Sequence, residues 1–206
     1  GCALRFAEKR EETIAELRTY IDLAGKLGTP FIRVLGDLTA APVDEVDDNV
    51  VLSALQELIL YAEEKNVTLL VETNGVYANT ARLRELLNQI ESDNIGALWD
   101  LHHPYRYAGE SPSETVQNLG AYIKYTHAKD SVIENGKTVY KIMGEGDLPM
   151  GEMMQALRSI NYEGYVSLEW LKKYAPDLSD PGIVFPHFAN YMEQYMDGPH
   201  EIRRLY

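Results

Sequence analysis

Short, nearly continuous apolar runs alternate with longer segments patterned for helices along most of this chain, and no other feature narrows its fold as much. Residues 30–37 (PFIRVLGD), 67–75 (VTLLVETNG), 95–101 (IGALWDL), 123–130 (IKYTHAKD) and 165–171 (YVSLEWL) read as buried strands, being short, apolar and bounded by Gly, Pro or polar residues. Between them lie helical faces. Ile14, Leu17, Ile21, Ala24 and Leu27 share one stripe within residues 9–27, which closes at Gly28, where a left-handed cap costs little. Val51, Leu52, Leu55, Leu58, Ile59 and Ala62 share another, and Leu83, Leu86, Leu87 and Ile90 a third within residues 80–90. Ser111 with Glu114 three residues on forms a capping box, and Pro112 suits the first helical position, so a helix is predicted from there to about residue 122. Two more follow, one over residues 150–160 and one opened by Asp180 and Pro181 that carries Ile183, Val184, Phe188, Tyr191, Met192 and Tyr195. The polar stretch 131–147 (SVIENGKTVYKIMGEGD) reads as a loop. Five strands, each followed by a helix, predict a single α/β domain over residues 1–206 built on a parallel sheet.

Composition excludes several classes. With 19 basic and 32 acidic residues the formal net charge is −13, which opposes general binding to nucleic acid. No run of 18 apolar residues marks a membrane span, and the N-terminal stretch GCALRFAEKREE lacks the apolar centre of a signal peptide, so a cytoplasmic protein with no membrane partner is expected. Cys2 is the only cysteine, which rules out an intrachain disulfide or a thiolate zinc site and fits a reducing compartment.

The strand ends carry the chemistry. The second strand ends in Glu72, the third in Asp100, the fourth in His127 and the fifth in Glu169, and each shares a strand face with the residue two before it: Leu70, Leu98, Tyr125 and Ser167. One acidic residue at a strand end is ordinarily a helix cap or a solvated turn. Four polar ends at matched parity are another matter, because parallel strands in a barrel aim them all inward at the C-terminal face. Three carboxylates and an imidazole converging on one point repel one another unless a cation sits among them, and an oxygen-rich set with one histidine suits a single divalent ion, Mn²⁺ or Mg²⁺ before Co²⁺ or Zn²⁺. Only His102 continues the inward parity of Asp100 along a regular strand, but the strand should end near Leu101, and a loop conformation can turn His103 inward instead. Arg33, inside the first strand, is either an ion-pair partner or a substrate contact, and Tyr105 and Arg106 divide equally between substrate loop and solvent.

The segments VETNG, WDLHHPYRYAGESP, YTHAKD, GEGDLP and VSLEW, in this order, resemble the sugar phosphate isomerase/epimerase family, the xylose isomerase-like TIM barrels. The likeness covers nearly the whole chain. It implies that Glu72, Asp100, His127 and Glu169 are the metal ligands, that the two glutamates also move protons, and that His103, three residues after Asp100, contacts substrate; His102, Arg33, Asn74, Arg106 and Lys129 complete the candidate substrate-binding set. The implied activity is a metal-dependent isomerisation or epimerisation of a small sugar or polyol by proton transfer through an enediolate. The family's epimerases usually carry an arginine a few residues after the histidine ligand. HAKDSVIENGK offers Lys129 and Asp130 but no arginine, a form closer to the family's dehydratases, of the inosose or 3-dehydroshikimate type, and to its uncharacterised isomerase members. A non-catalytic sugar-binding or regulatory barrel remnant is the reading from another class. An apurinic-site endonuclease, built on a related barrel, is disfavoured, since a multi-zinc cluster needs more histidines than His102, His103 and His127 and the net charge opposes DNA. The family barrel has eight strands, whereas five are legible here. The expected protein is therefore a barrel lacking its first three strands, with open edges near Phe31 and Val166 that a homo-oligomer or another polypeptide covers.

Overall fold

The computed structural model describes residues 4–196, which leaves Cys2 outside the described residues. Five strands, β1 (Phe31–Val34), β2 (Thr68–Glu72), β3 (Ile95–Asp100), β4 (Ile123–Ala128) and β7 (Val166–Leu168), form one sheet in that order, every neighbouring pair parallel. Helices α1 (Arg10–Leu27), α2 (Asp48–Glu64), α3 (Thr80–Leu87), α4 (Pro112–Leu119), α5 (Met150–Ser159) and α6 (Pro181–Glu193) supply the crossovers and the outer layer. Leu69 and Val71 of β2 and Ala97 and Trp99 of β3 alternate away from the site face and join Leu17, Ile21, Leu55, Leu58, Leu83 and Leu87 in one buried core.

The helix signals act as expected. Gly28 adopts φ +69° at the end of α1, and the Ser111 hydroxyl accepts from the Glu114 amide at 3.3 Å at the start of α4. The strands are shorter than their apolar runs, because each run continues past the last ladder hydrogen bond into the loop above it. Consequently Glu169 lies one residue beyond β7.

Residues 131–147 are not a loop throughout. β5 (Asp130–Glu134) and β6 (Lys137–Lys141) pair as an antiparallel hairpin, with Asn135 at φ 51° and Gly136 at φ 74° in the turn. Asn-Gly between alternating residues is a strong hairpin signal, since both turn positions need positive φ. The fourth strand of the sheet thus leads into a hairpin before its helix, which departs from the simple strand-then-helix pattern.

Asp130 holds this excursion in place. Its buried carboxylate accepts from the amides of Ser131 at 2.8 Å, Gly144 and Gly146 at 3.0 Å and Leu148 at 3.3 Å, so the aspartate of HAKD folds the GEGDLP segment around itself. Replacing Asp130 with Ala strands these donors, and should lower unfolding free energy by about 3 kcal/mol in urea denaturation. A loss under about 1 kcal/mol would show that water satisfies the loop equally well.

Candidate metal centre and active site

Register sets the site. Glu72 lies beside Leu98 of β3, Asp100 beside His127 of β4, and His127 beside Ser167 of β7. Residues adjacent in a parallel pair point to the same side, so Glu72, Asp100, His127 and Glu169, two beyond Ser167, share the inner face at the C-terminal ends of the strands. A bulge makes this alignment. Ala97 pairs with Ile123 but Leu98 pairs with Tyr125, which leaves Lys124 as an extra residue in β4. Without it Asp100 would oppose Thr126, and His127 would turn into the outer core.

The four side chains meet. One ligand atom from each of Glu72, Asp100, His127 and Glu169 lies within 4.8 Å of all the others. The Nδ1 of His127 is 3.0 Å from Glu72 Oε1 and 3.8 Å from Glu169 Oε1. Asp100 is fully buried, its amide held at 3.0 Å by the Thr73 hydroxyl and its Oδ1 accepting from the His102 amide at 3.0 Å. Two cations face the cluster. Arg33 donates to Glu72 Oε2 at 2.8 Å and approaches Glu169 Oε1 at 3.5 Å, while the Lys129 ammonium donates to both Asp100 Oδ2 and Glu169 Oε2. Burial works against the charge on Lys129, but the facing carboxylates of Asp100 and Glu169 outweigh it and hold the ammonium above the usual lysine range. Three carboxylates and one imidazole within reach of a common point fit a hard divalent cation in number and chemistry.

Beside the cluster lies a cavity of about 180 Å³. Glu72, Glu169, Arg33, Asn74, His103 and Lys129 all line it. The chain leaves the strand direction after Leu101 and tightens into a π-helical turn at Pro104–Ala108, which brings His103 inward. Its Nδ1 is 3.0 Å from the Thr73 carbonyl, which can only accept, so Nδ1 carries the proton and Nε2 is left as an acceptor. That Nε2 lies 3.4 Å from Asp100 Oδ2 without a hydrogen bond, and Asn74 Oδ1 has no partner either, its amide nitrogen being committed to the carbonyls of Asp37 at 3.2 Å and Thr39 at 3.4 Å. Both residues line the cavity.

His102 and Arg106 do not line the cavity. His102 points into the wall, 2.9 Å from the Ser131 hydroxyl and against Tyr107 and Tyr140, and Arg106 ties the same loop to the hairpin through the Ser131 carbonyl at 2.9 Å and Asp147. Burial pushes His102 down to about 3 despite the opposing influence of Asp100, and pushes His103 well below the usual histidine range, so both are neutral. Asp100, His102 and His103 also form a compact donor group of their own. Sequence reasoning passed over Thr73, which orients both Asp100 and His103, and Tyr140, which reaches the cavity from the hairpin. The first has no signal beyond following Glu72; the second was within reach of the Asn-Gly turn.

Comparison with known proteins places this geometry. Residues 3–185 match the family model described as xylose isomerase-like TIM barrel. An uncharacterized protein of Methanocaldococcus jannaschii is 31% identical over 173 residues, covering 78% of this chain and 57% of that protein. The fructoselysine 3-epimerase of Shigella flexneri is 26% identical over 176 residues, covering 80% of this chain and 61% of the epimerase. The chain thus spans about three fifths of the length of these relatives. Among solved structures, a xylose isomerase domain protein from Planctomyces limnophilus superposes with a TM-score of 0.73 at 21% identity over 94% of this chain and 69% of its own. The IOLI protein, crystallised with a bound zinc atom, gives 0.75 at 18% identity over 93% and 73%. A Mycobacterium smegmatis barrel in complex with magnesium gives 0.69 at 16% over 94% and 69%. The described strands form a curled part-barrel consistent with these folds, and the chain belongs to the xylose isomerase-like TIM barrel family.

Proposed function

We propose that this chain is a divalent-metal-dependent isomerase or epimerase of a small sugar or polyol, acting by proton transfer through an enediolate. The observation that carries the reading is the convergence of Glu72, Asp100, His127 and Glu169, within 4.8 Å of one another, beside a cavity that Glu72 and Glu169 line together with His103, Asn74 and Lys129. These four residues hold the ion, Mn²⁺ or Mg²⁺ before Co²⁺ or Zn²⁺. When bound, such an ion supplies Lewis acidity that makes the C–H beside a carbonyl more acidic. Glu72 and Glu169 both reach the cavity, and each is placed to take or return the α-proton. His103 Nε2 and Asn74 Oδ1 accept hydroxyl protons of the substrate, and Arg33 at the rim donates to its oxygens. His102 and Arg106 act from the wall, by fixing the loop that carries His103. Fructoselysine 3-epimerase among the relatives favours epimerisation. The absence of an arginine soon after His127 favours a dehydratase on the same site, in which a hydroxyl leaves from the β-carbon of the same enediolate.

The test is turnover on ketoses, inososes and dehydroshikimate-like compounds with Mn²⁺, with exchange of the α-proton followed by NMR in heavy water. Exchange abolished by a chelator supports the reading. Sugar binding with no exchange on any of the panel would make the chain a non-catalytic binding module instead. Glu72→Gln and Glu169→Gln keep shape but remove a base, and each should lower turnover by roughly 10²- to 10⁴-fold while the fold survives. Undiminished rates in both would move the proton transfer elsewhere.

A neutral His103 with its proton on Nδ1 is required for it to accept from substrate. Imidazole ¹⁵N shifts should show that tautomer unchanged down to pH 5, as burial dictates, with His102 neutral over the same range. A His103 that protonates near pH 6.5 would be a donor and would lose the role.

We further propose one cytoplasmic domain whose open edges are covered by association. Among the described residues β1 pairs only with β2 and β7 only with β4, and Tyr20, Leu23 and Leu27 form an exposed apolar stripe on α1. Light scattering should find an oligomer or a complex with another polypeptide; a stable monomer at high concentration would refute it.

A further inference from the structure

Lys129 binds the same two carboxylates that the metal reading assigns to the ion. Its side chain is 2% exposed, and its ammonium donates to Asp100 Oδ2 and Glu169 Oε2 together. The other two ligands are engaged with each other, His127 Nδ1 with Glu72 Oε1 at 3.0 Å. In this arrangement the cluster is assembled around an ammonium, with Arg33 as the second cation.

Charge and space both bear on what happens when a divalent ion arrives. With Arg33 and Lys129 both in place, three carboxylates and a divalent ion carry one surplus positive charge in a buried site, which low polarisability makes costly. If the ion replaces the ammonium, the count among ion, Arg33 and carboxylates comes to neutrality. Lys129 and Tyr140 line the same cavity, so the long unbranched stem has open volume beside it. A point charge on a flexible chain is suited to such an exchange in a way that a planar, forked guanidinium is not.

We propose that Lys129 is a built-in counter-ion that keeps Asp100 and Glu169 assembled when no metal is bound, and that a divalent ion binds by displacing its ammonium into the adjoining cavity. The inference rests on the metal reading above. It makes two demands: the metal-free chain owes stability to Lys129, and metal affinity is lowered by it.

Titration calorimetry with Mn²⁺ on the full chain, comparing wild type with Lys129→Met, tests both. Met keeps the unbranched stem without the charge. The variant should bind one Mn²⁺ roughly tenfold or more tightly than wild type, because no ammonium has to leave. Its metal-free form should melt below wild type, and saturating Mn²⁺ should raise its melting temperature by more than it raises that of wild type. Equal or weaker Mn²⁺ affinity in the variant, with binding retained in wild type, overturns the inference and leaves the metal reading standing. Failure of both proteins to bind Mn²⁺ overturns the metal reading and this inference with it. Should Lys129→Met not fold, wild type decides alone: the Lys129 ammonium ¹⁵N resonance, slowed in exchange by its two carboxylate partners, should shift or vanish on adding one equivalent of Zn²⁺. A resonance unchanged while Zn²⁺ binds overturns the exchange.

Discussion

Mutual repulsion among three inward carboxylates is the constraint around which this molecule is arranged. Glu72 and Asp100 are almost wholly buried, and Glu169 is three-quarters so. Ionised carboxylates tolerate this only with positive charge or hydrogen-bond donors at hand. The sheet meets the demand from both ends. Arg33 comes from β1, at one edge, and reaches Glu72 on β2 and Glu169 beyond β7, at the other edge. A single guanidinium touching residues of both edges requires the sheet to curl strongly, and the aromatic contact between Phe31 of β1 and Tyr125 of β4, at 6.3 Å, crosses the same inner space. Curvature and charge compensation are thus one arrangement seen from two sides.

Backbone irregularity delivers the ligands. A strictly regular β4 would place Thr126 beside Asp100, and the imidazole would be lost to the outer core. The extra residue Lys124 reverses the face of everything after it. Thr73 performs the comparable service at the top of β2. One hydroxyl fixes the Asp100 amide and one carbonyl fixes the His103 ring, so both sides of the cavity are aligned by a residue that touches neither ion nor substrate.

The strand ends were legible because parity is a local property: residues two apart share a face whatever the sheet does. For β2, β3 and the end of β7 this was sufficient. His127 faces inward with the others in a register that includes a bulge, which nothing in IKYTHAKD announces. His102 and His103 show the opposite limit. Their parity was clear but irrelevant, since the backbone leaves the strand direction after Leu101 and a tight turn, not alternation, selects the histidine that faces the cavity. The hairpin over residues 130–141 was legible in Asn135 and Gly136 and was obscured by the polar composition around them. Lys129 stood among the candidate substrate contacts, but its pairing with Asp100 and Glu169 lay beyond reach. A lysine between a histidine and an aspartate near a strand end is ordinarily solvated, and only the three-dimensional convergence of Asp100 and Glu169 makes it a buried ion-pair partner.

All four candidate ligands come from β2, β3, β4 and the end of β7, which are contiguous in the sheet. Their convergence is therefore complete within five strands and does not wait on closure of a barrel. Closure bears on a different quantity. Glu169 and His127 retain some exposure, and Arg33 more, so water reaches the rim from the side of β1 and β7. Solvent there weakens each electrostatic interaction among these side chains. Convergence and shielding are in this way separable properties of the fold: the first follows from register among adjacent strands, the second from whatever lies against β1 and β7.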